Sequence, residues 1–328
     1  MEDSRIQKEP DLIAKIMKKS GLLNRDANDS RRTGPSKMAE GIALHRCAET
    51  MLPEDIRIFS DPYAVHFLDP ATLAWARDHP AEAKAFADEL ERKTPGWSNA
   101  IRGRIRFFDD IVRDAAGEGF SQLVILGAGY DTRAYRIDTL KGHVRIFEID
   151  RPETLERKAE ILKKIFGGIP DHVVFIPLDM ADTDCWQDLA RAGWAPEAKT
   201  LFLLEGLVMY LPRPAVEHLL AGIAGHTGTG SAVLFDFMPR SLADGTSFDE
   251  GGQIIREWTA KAGEPILSGF SNDEIVPLLE SLDYSDIQII PSRAFAEMYF
   301  TGNRADRKVS GLMSLAYATV AGKGRDRP

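Results

Sequence analysis

Cysteine is scarce in this sequence, which holds only Cys47 and Cys185 among its 328 residues. Neither lies in a CxxC pair or in a Cys/His cluster, so the pattern excludes a disulfide framework and a zinc site. Isolated thiols of this kind are typical of buried cysteines in a reducing compartment, which predicts a cytoplasmic protein. No set of histidines and carboxylates has metal-ligand spacing, so a resident metal is not expected.

Long apolar runs and an excess of positive charge are also missing. No run of about 18 apolar residues occurs, and the first 26 residues contain no apolar segment ahead of a small-residue cleavage site. The formal net charge is −9, which disfavours nucleic acid and anionic lipid as partners. These absences predict a protein without a nucleic-acid partner and without membrane association; they indicate nothing about its oligomeric state.

The pattern of polar and apolar residues divides the chain into three parts. Residues 1–36 form a polar extension that we expect to be partly helical or mobile, and residues 37–100 a helical cap. Residues 101–328 form the core, with a helical lid insertion near 240–282. The core contains short apolar runs, several of them separated by helix-length charged segments, which predicts an α/β fold with a mostly parallel sheet covered on both faces: "QLVILGAG", "VRIFEID", "VVFIPLD", "TLFLLEG", "AVLFDF" and "DIQIIPS".

Informative residues follow four of these runs. The first run ends in Gly127-Ala128-Gly129, and the next three end in Asp150, Asp179 and Glu205. Ligands of open α/β sheets bind beyond the carboxyl ends of the strands, and an acidic residue about 20 positions after the glycines suits a ribose hydroxyl pair. A tight turn without a ligand, or two helix N-caps, would explain the residues singly. Their order at successive strand ends favours an adenosine ligand.

The glycine turn helps to choose among nucleotides. A dinucleotide fingerprint is GxGxxG, but the third glycine is replaced here by Thr132, and Asp131 lies in the turn itself. A carboxylate in the turn should repel a pyrophosphate and suit a ligand with an amino group or a positive centre, such as S-adenosylmethionine. A nicotinamide oxidoreductase stays an alternative. A phosphate-binding P-loop is excluded because the chain has no GxxxxGK[ST].

Five ordered motifs carry a resemblance to a known family: "RIRFFDD", "LGAGYDTRAYR", "FEIDRPETLERK", "PLDM" and "EGLVMYL". Together with "ALHRCAE" and "FSDPYAVHFL", they resemble the leucine carboxyl methyltransferase family, and most closely its microbial branch of small-molecule, polyketide-type O-methyltransferases. The resemblance covers roughly residues 37–320. It implies a Rossmann-like class I methyltransferase with a seven-stranded sheet, a helical cap and S-adenosyl-L-methionine as cofactor.

The resemblance also implies ligands for the methionyl part of that cofactor. Arg104 would pair with its carboxylate, since a guanidinium matches a carboxylate with two parallel hydrogen bonds. Arg102 and Arg106 are rivals for this role. Arg46 would assist from the cap, and Glu205 would meet the methionyl ammonium group.

The resemblance implies that residues at other strand ends bind the nucleoside part of the cofactor. Gly127 and Gly129 would let the backbone approach the cofactor closely. Asp150 would bind the ribose hydroxyls, and Asp179 and Met180 would flank the adenine.

The implied reaction is methyl transfer to a carboxyl or hydroxyl oxygen of a small-molecule acceptor. Tyr210 would lie close to where the methyl group is delivered, although plain packing explains it equally well. No histidine lies in a motif that marks it as a general base. Two alternatives stay open: a protein C-terminal carboxyl methyltransferase, and a non-catalytic protein that binds S-adenosylmethionine.

Overall fold

A computed structural model describes residues 36–180 and 184–322. Its centre is one sheet of seven strands. The predicted polar extension lies outside the described residues except for Ser36. In chain order the strands are β1 (Gln122–Leu126), β2 (Arg145–Asp150), β3 (Val173–Pro177), β4 (Thr200–Leu204), β5 (Ala232–Phe237), β6 (Tyr284–Pro291) and β7 (Ser314–Val320).

The helices lie before, between and after the strands of this sheet. Those before β1 are α1 (Lys37–Thr50), α2 (Pro70–Asp78), α3 (Pro80–Lys93) and α4 (Trp97–Gly117). Those between β1 and β5 are α5 (Arg133–Arg136), α6 (Pro152–Phe166), α7 (Trp186–Arg191) and α8 (Arg213–His226). The remaining ones are α9 (Arg240–Ala243), α10 (Glu250–Lys261), α11 (Asn272–Ser281) and α12 (Phe295–Tyr299). Short 3₁₀ turns occupy Ala64–Phe67, Asp138–Leu140, Val208–Tyr210, Ser292–Ala294 and Gly302–Arg304.

The strand order is β3-β2-β1-β4-β5-β7-β6, with β7 antiparallel to both neighbours and the other pairings parallel. β1, β4 and β5 are buried along their whole length because helices cover both faces, which is why their sequences are continuously apolar. The predicted mostly parallel α/β sheet is therefore confirmed. The chain reverses its direction of winding between β1 and β4, and this switch point is where such sheets open a ligand crevice.

Helix α1 begins the segment predicted as a cap, residues 37–100, and contacts distant parts of the chain at both of its ends. Ser36 begins the helix by accepting the Ala39 backbone N–H at 3.2 Å, and its hydroxyl donates to Glu264 beyond α10 at 2.9 Å. One end of α1 thus touches the region predicted as a lid insertion, residues 240–282. Near its other end, Glu49 is fully buried and accepts two hydrogen bonds from Arg307.

Three helices, α9, α10 and α11, lie between β5 and β6, inside the region predicted as an insertion. α9 and α10 contact each other, whereas α11 packs on β6 as a helix of the core. None of the helices in residues 36–180 and 184–322 is long and apolar enough to cross a membrane.

Candidate active site

The glycine turn after β1 has a backbone shape that only glycine adopts easily. Gly127 has φ +68° and Gly129 has φ +47°. The Gly129 N–H donates to Oδ2 of Asp150 at 2.7 Å, and the Arg151 N–H donates to Oδ1 of the same carboxylate, also at 2.7 Å. The ends of β1 and β2 are thereby joined, with Asp150 partly exposed at the predicted ribose position.

A second group of charges lies where β4 and β5 end. Arg104 is buried on α4; its Nε donates to Glu205 at 3.1 Å and its Nη1 to Asp236 at 2.7 Å. The other oxygen of Asp236 accepts the Gly206 N–H at 2.6 Å. Burial penalises the charged form of Arg104, but the two carboxylates more than offset this and raise its pKa. The predicted ligands Arg104 and Glu205 are thus brought into direct contact with each other.

Arg133 links Glu205 to Asp131 in the glycine turn. Its guanidinium is 2% exposed and donates to Asp109 at 2.8 Å, Asp131 at 2.5 Å and Glu205 at 2.6 Å. Arg136 adds two hydrogen bonds to Asp109 at 2.6 Å each. Both arginines of "DTRAYR" therefore serve in a buried ionic network under the site.

Arg46 of α1 contacts the glycine turn that follows β1. Its Nη2 donates to the Tyr130 carbonyl at 2.5 Å, and its Nε lies 3.0 Å from Asp61. Asp61 also accepts the Thr132 hydroxyl at 2.6 Å, which gives the residue in the third-glycine position a structural task. With these partners Arg46 positions the turn; direct contact with a cofactor stays a prediction.

The remaining predicted residues lie at the ends of β3 and β4. Asp179 is exposed and Met180 partly buried, just after the Leu178 N–H donates to the Asp150 carbonyl at 2.9 Å. This register places the predicted adenine ligands next to the predicted ribose ligand. Tyr210 ends the 3₁₀ turn after β4, is partly exposed, and lies near enough to Arg104 to act on its pKa.

An apolar cluster adjoins Tyr210. It is formed by side chains from the 3₁₀ turn, the end of β5 and the α9–α10 region: Met209, Met238, Leu242, Ile255 and Ile266. Trp97, at the start of α4, packs against it and is also partly exposed. The Leu267 N–H donates to the Met209 carbonyl at 2.8 Å, which fixes the segment after α10 over the 3₁₀ turn.

The sequence analysis assigned no role to three carboxylates that pair with arginines at this site. Asp61, Asp109 and Asp236 are each no more than 2% exposed and each pairs with an arginine at the site. Asp236 had a visible signal, because it is the lone charge in the apolar run "AVLFDF". Asp61 and Asp109 lie in "FSDPY" and "RFFDD", where nothing in the residue pattern separates a buried acid from an exposed one.

The donor set fits S-adenosylmethionine. The site offers a left-handed glycine turn, a carboxylate at the β2 end, and an arginine beside a second carboxylate for the α-carboxylate and α-ammonium groups. Since these sit outside the carboxyl ends of β1, β2 and β4 at the switch point, the fold and site define a class I S-adenosyl-L-methionine-dependent methyltransferase.

Comparison with known proteins leads to the family. The leucine carboxyl methyltransferase profile matches residues 39–224, more than half of the chain, so the chain belongs to the leucine carboxyl methyltransferase family. A relative from Streptomyces avermitilis is 34% identical over 238 residues, covering 71% of this chain and 81% of the relative. One from Frankia alni is 34% identical over 204 residues, with 62% and 69% covered. Both are provisionally named S-adenosyl-L-methionine-dependent methyltransferases.

Solved structures agree on the fold. A provisionally named methyltransferase from Thermobifida fusca gives a TM-score of 0.59 at 15% identity, covering 91% of this chain and 98% of that one. A DUF574 protein from Streptomyces avermitilis gives 0.54 at 16% identity, covering 73% and 90%. The expected family, the fold and the S-adenosyl-L-methionine cofactor are confirmed. The roles of single residues stay predictions.

Proposed function

We propose that this protein transfers the methyl group of S-adenosylmethionine to a carboxyl or hydroxyl oxygen of a small apolar acceptor. The family name refers to a carboxyl group, which supports oxygen as the target. The observation that carries the proposal is the apolar surface of Tyr210 and Trp97, which are partly exposed next to the cofactor residues and pack on the buried cluster around Met209. Ser36, bonded to Glu264, closes α1 against the same region and favours a compact acceptor over a peptide tail.

When bound, S-adenosylmethionine supplies a methyl group on a sulfonium, so the chain's task is mainly orientation. Arg104 and Glu205 would hold the carboxylate and ammonium ends, and Asp150 the ribose. Both oxygens of Glu205 already accept hydrogen bonds from arginines, which fixes the carboxylate before any ligand arrives. Tyr210 would orient the acceptor oxygen from the 3₁₀ turn. A carboxylate acceptor is anionic at neutral pH and needs no base.

The cofactor half of the proposal is tested by calorimetric titration with S-adenosylmethionine, S-adenosylhomocysteine and NAD. We expect the two sulfur nucleotides to bind, NAD not to bind, and Asp150→Ala to weaken binding about tenfold or more, because it removes hydrogen bonds to a charged group. Asp138→Ala is the matched control, since that aspartate pairs with Lys141 at the surface. Binding of NAD, or of neither sulfur nucleotide, would overturn the assignment.

The acceptor half is tested by transfer of labelled methyl groups to a panel of aromatic and aliphatic acids, phenols and peptides ending in a free carboxylate. Tyr210→Phe should slow transfer while leaving binding of S-adenosylhomocysteine unchanged. Labelling of the peptides alone would favour the protein carboxyl methyltransferase instead. Cofactor binding without transfer to any compound would favour the non-catalytic alternative.

A further inference from the structure

Trp97 begins helix α4, and the residue before it fixes its position. Gly96 has φ +74°, and a Cβ added there would lie 2.6 Å from the Ser310 backbone nitrogen, so only glycine fits this close approach. The Ser310 N–H donates to the Gly96 carbonyl at 3.0 Å, and the Gly96 N–H donates to Glu91 at 2.7 Å. The start of α4 is therefore fixed to the chain segment that precedes β7.

The side chain of Trp97 lies on the face of α4 that meets the cofactor residues. Arg104 follows Trp97 by seven residues, or about two helical turns, so the two side chains leave the same face about 10 Å apart along the helix axis. Arg104 donates to Glu205, which follows β4, at 3.1 Å. Trp97 therefore lies to one side of the predicted cofactor ligands, toward the start of α4.

Trp97 also contacts two apolar clusters that come from different parts of the chain. It packs against the buried cluster around Met209, as Tyr210 does, and against the larger core cluster to which α1 contributes. Helix α10 begins close by, since a Cβ added to Gly251 would lie 3.5 Å from the Lys93 carbonyl oxygen. Trp97 and Tyr210 both keep part of their surface exposed at this junction.

The indole N–H of Trp97 has no hydrogen-bond acceptor among residues 36–180 and 184–322. Three side-chain atoms in this part of the chain are both fully buried and unpartnered: Nε of Arg46, Nε of Arg102 and Oγ1 of Thr154. Since Nε1 of Trp97 is absent from that set, the atom is accessible to solvent or to a ligand. Trp194, by contrast, donates its N–H to Thr200 at 3.3 Å. Trp97 thus combines a packed ring with an available donor.

Aromatic surfaces beside an N–H donor suit a compact aryl carboxylic acid. Aromatic rings prefer offset or edge-to-face contacts with other rings, which Trp97 and Tyr210 can each supply. A carboxylate accepts a hydrogen bond more strongly than a neutral oxygen does, and its second oxygen stays available to react. That oxygen forms the O–CH₃ bond while the S–CH₃ bond of the cofactor breaks and its electron pair stays on sulfur. The products are a neutral methyl ester and S-adenosylhomocysteine, and no proton has to move.

We propose that Trp97 determines acceptor specificity: its indole ring lies against the aryl group of a compact aromatic acid, and its N–H donates to the carboxylate oxygen that is not methylated. This inference rests on the function proposed above, since it assumes methyl transfer from S-adenosylmethionine at this site. Because the ester product carries no charge, its hydrogen bond to the indole is weaker than that of the acid. Trp97 therefore favours the substrate over the product.

The test uses the full-length protein saturated with S-adenosylhomocysteine, and benzoic, phenylacetic, 3-phenylpropionic and hexanoic acids as probes. Binding is measured by calorimetry and by the indole N–H signal of Trp97 in NMR spectra, which is assigned by its disappearance in Trp97→Phe. We expect at least one aryl acid to bind more tightly than hexanoic acid and to shift this signal.

Trp97→Phe keeps an aromatic ring and removes the donor. It should bind that aryl acid about tenfold or more weakly and its methyl ester nearly as well as before, because a hydrogen bond to a charged group is lost. In transfer assays KM should rise by the same factor with little change in kcat, and affinity for S-adenosylhomocysteine should stay the same. Trp75→Phe, on α2 where the ring stacks with His79, is the matched control and should change none of these values.

Other outcomes would overturn the proposal. Unchanged affinity of Trp97→Phe for the aryl acid, or an equal loss for the acid and its ester, would show that the N–H does not meet the carboxylate. Hexanoic acid binding as tightly as the aryl acids would refute the aromatic class. Binding of no acid, or no shift of the Trp97 signal, would refute the inference while cofactor binding, and with it the proposed function, stood. Failure of the unmodified protein to bind S-adenosylhomocysteine would overturn the proposed function and this inference together.

Discussion

Replacing Arg133 by methionine should cost more stability than almost any other single change near the site. The guanidinium is shared by Asp109, Asp131 and Glu205, all within 2.8 Å. Asp109 and Glu205 keep other arginine partners in the variant, but Asp131 loses its ion pair with Arg133, the one that it makes within residues 36–180 and 184–322. Burial alone would raise the pKa of Asp131, yet its neighbours, Arg133 foremost, bring it to about 2 in the folded protein.

Removing one partner of a buried ion pair costs about 3–5 kcal/mol. Unfolding entropy of about 2.1 cal/mol/K per residue converts this to a melting temperature about 4–7 °C lower for a chain of 328 residues. The loss should shrink as pH falls toward 3.8, the ordinary pKa of an aspartate, because the orphaned Asp131 can then take up a proton. Differential scanning calorimetry at several pH values measures both effects.

The matched control is Arg113→Met. Arg113 lies 3.8 Å from the same Asp109, but its side chain is 43% exposed, and surface pairs contribute about 0–1 kcal/mol. A melting temperature for Arg133→Met within about 1 °C of the control would refute the claim that buried pairing holds the site together.

Three further predictions concern the core and the glycine turn. Burial raises the pKa of Glu148 from 4.5 to about 7 in the folded protein. The free energy of unfolding of the unmodified chain should therefore fall by up to about 3 kcal/mol as pH rises between those values. Glu148→Gln should make this dependence on pH weaker in denaturant titrations. Burial also raises the pKa of both thiols, that of Cys185 to about 12, so neither it nor Cys47 should react with Ellman's reagent until urea unfolds the chain; rapid labelling of the folded protein would contradict their burial. Gly129→Ala should lower both stability and affinity for S-adenosylhomocysteine, because the φ of Gly129 is +47° and the new Cβ would lie 3.1 Å from the Ala39 side chain. The control is Gly142→Ala, which should lower stability alone, because Gly142 has φ +74° but open space around it.

The sheet and the cofactor were predictable because their signals are local. Continuous apolar runs that alternate with helices indicate a parallel sheet, and glycines or acids at the strand ends indicate a ligand at its edge. The pairing of Arg104 with Asp236 joins residues 132 positions apart, and nothing in the local sequence encodes which arginine meets which acid.

Asp131 shows how a correct conclusion can rest on an incomplete physical reason. Direct repulsion of a pyrophosphate assumes a free carboxylate, but Asp131 is 6% exposed and accepts both the Arg133 backbone N–H at 2.7 Å and the Arg133 side chain. Since Asp150 takes the Gly129 N–H, the turn has already given two of its backbone donors to carboxylates, and the helix that follows has only four residues and a correspondingly small dipole.

Missing donors, more than a bare negative charge, therefore disfavour a dinucleotide at this turn. Asp131→Asn should consequently leave NAD unable to displace S-adenosylhomocysteine in a calorimetric competition, because the amide oxygen can still accept the Arg133 N–H. Displacement by NAD in this variant, but not in the unmodified protein, would restore simple repulsion as the cause. Loss of affinity for S-adenosylhomocysteine without any gain for NAD would instead show that Asp131 acts through Arg133 on Glu205, whose carboxylate the same guanidinium holds at 2.6 Å.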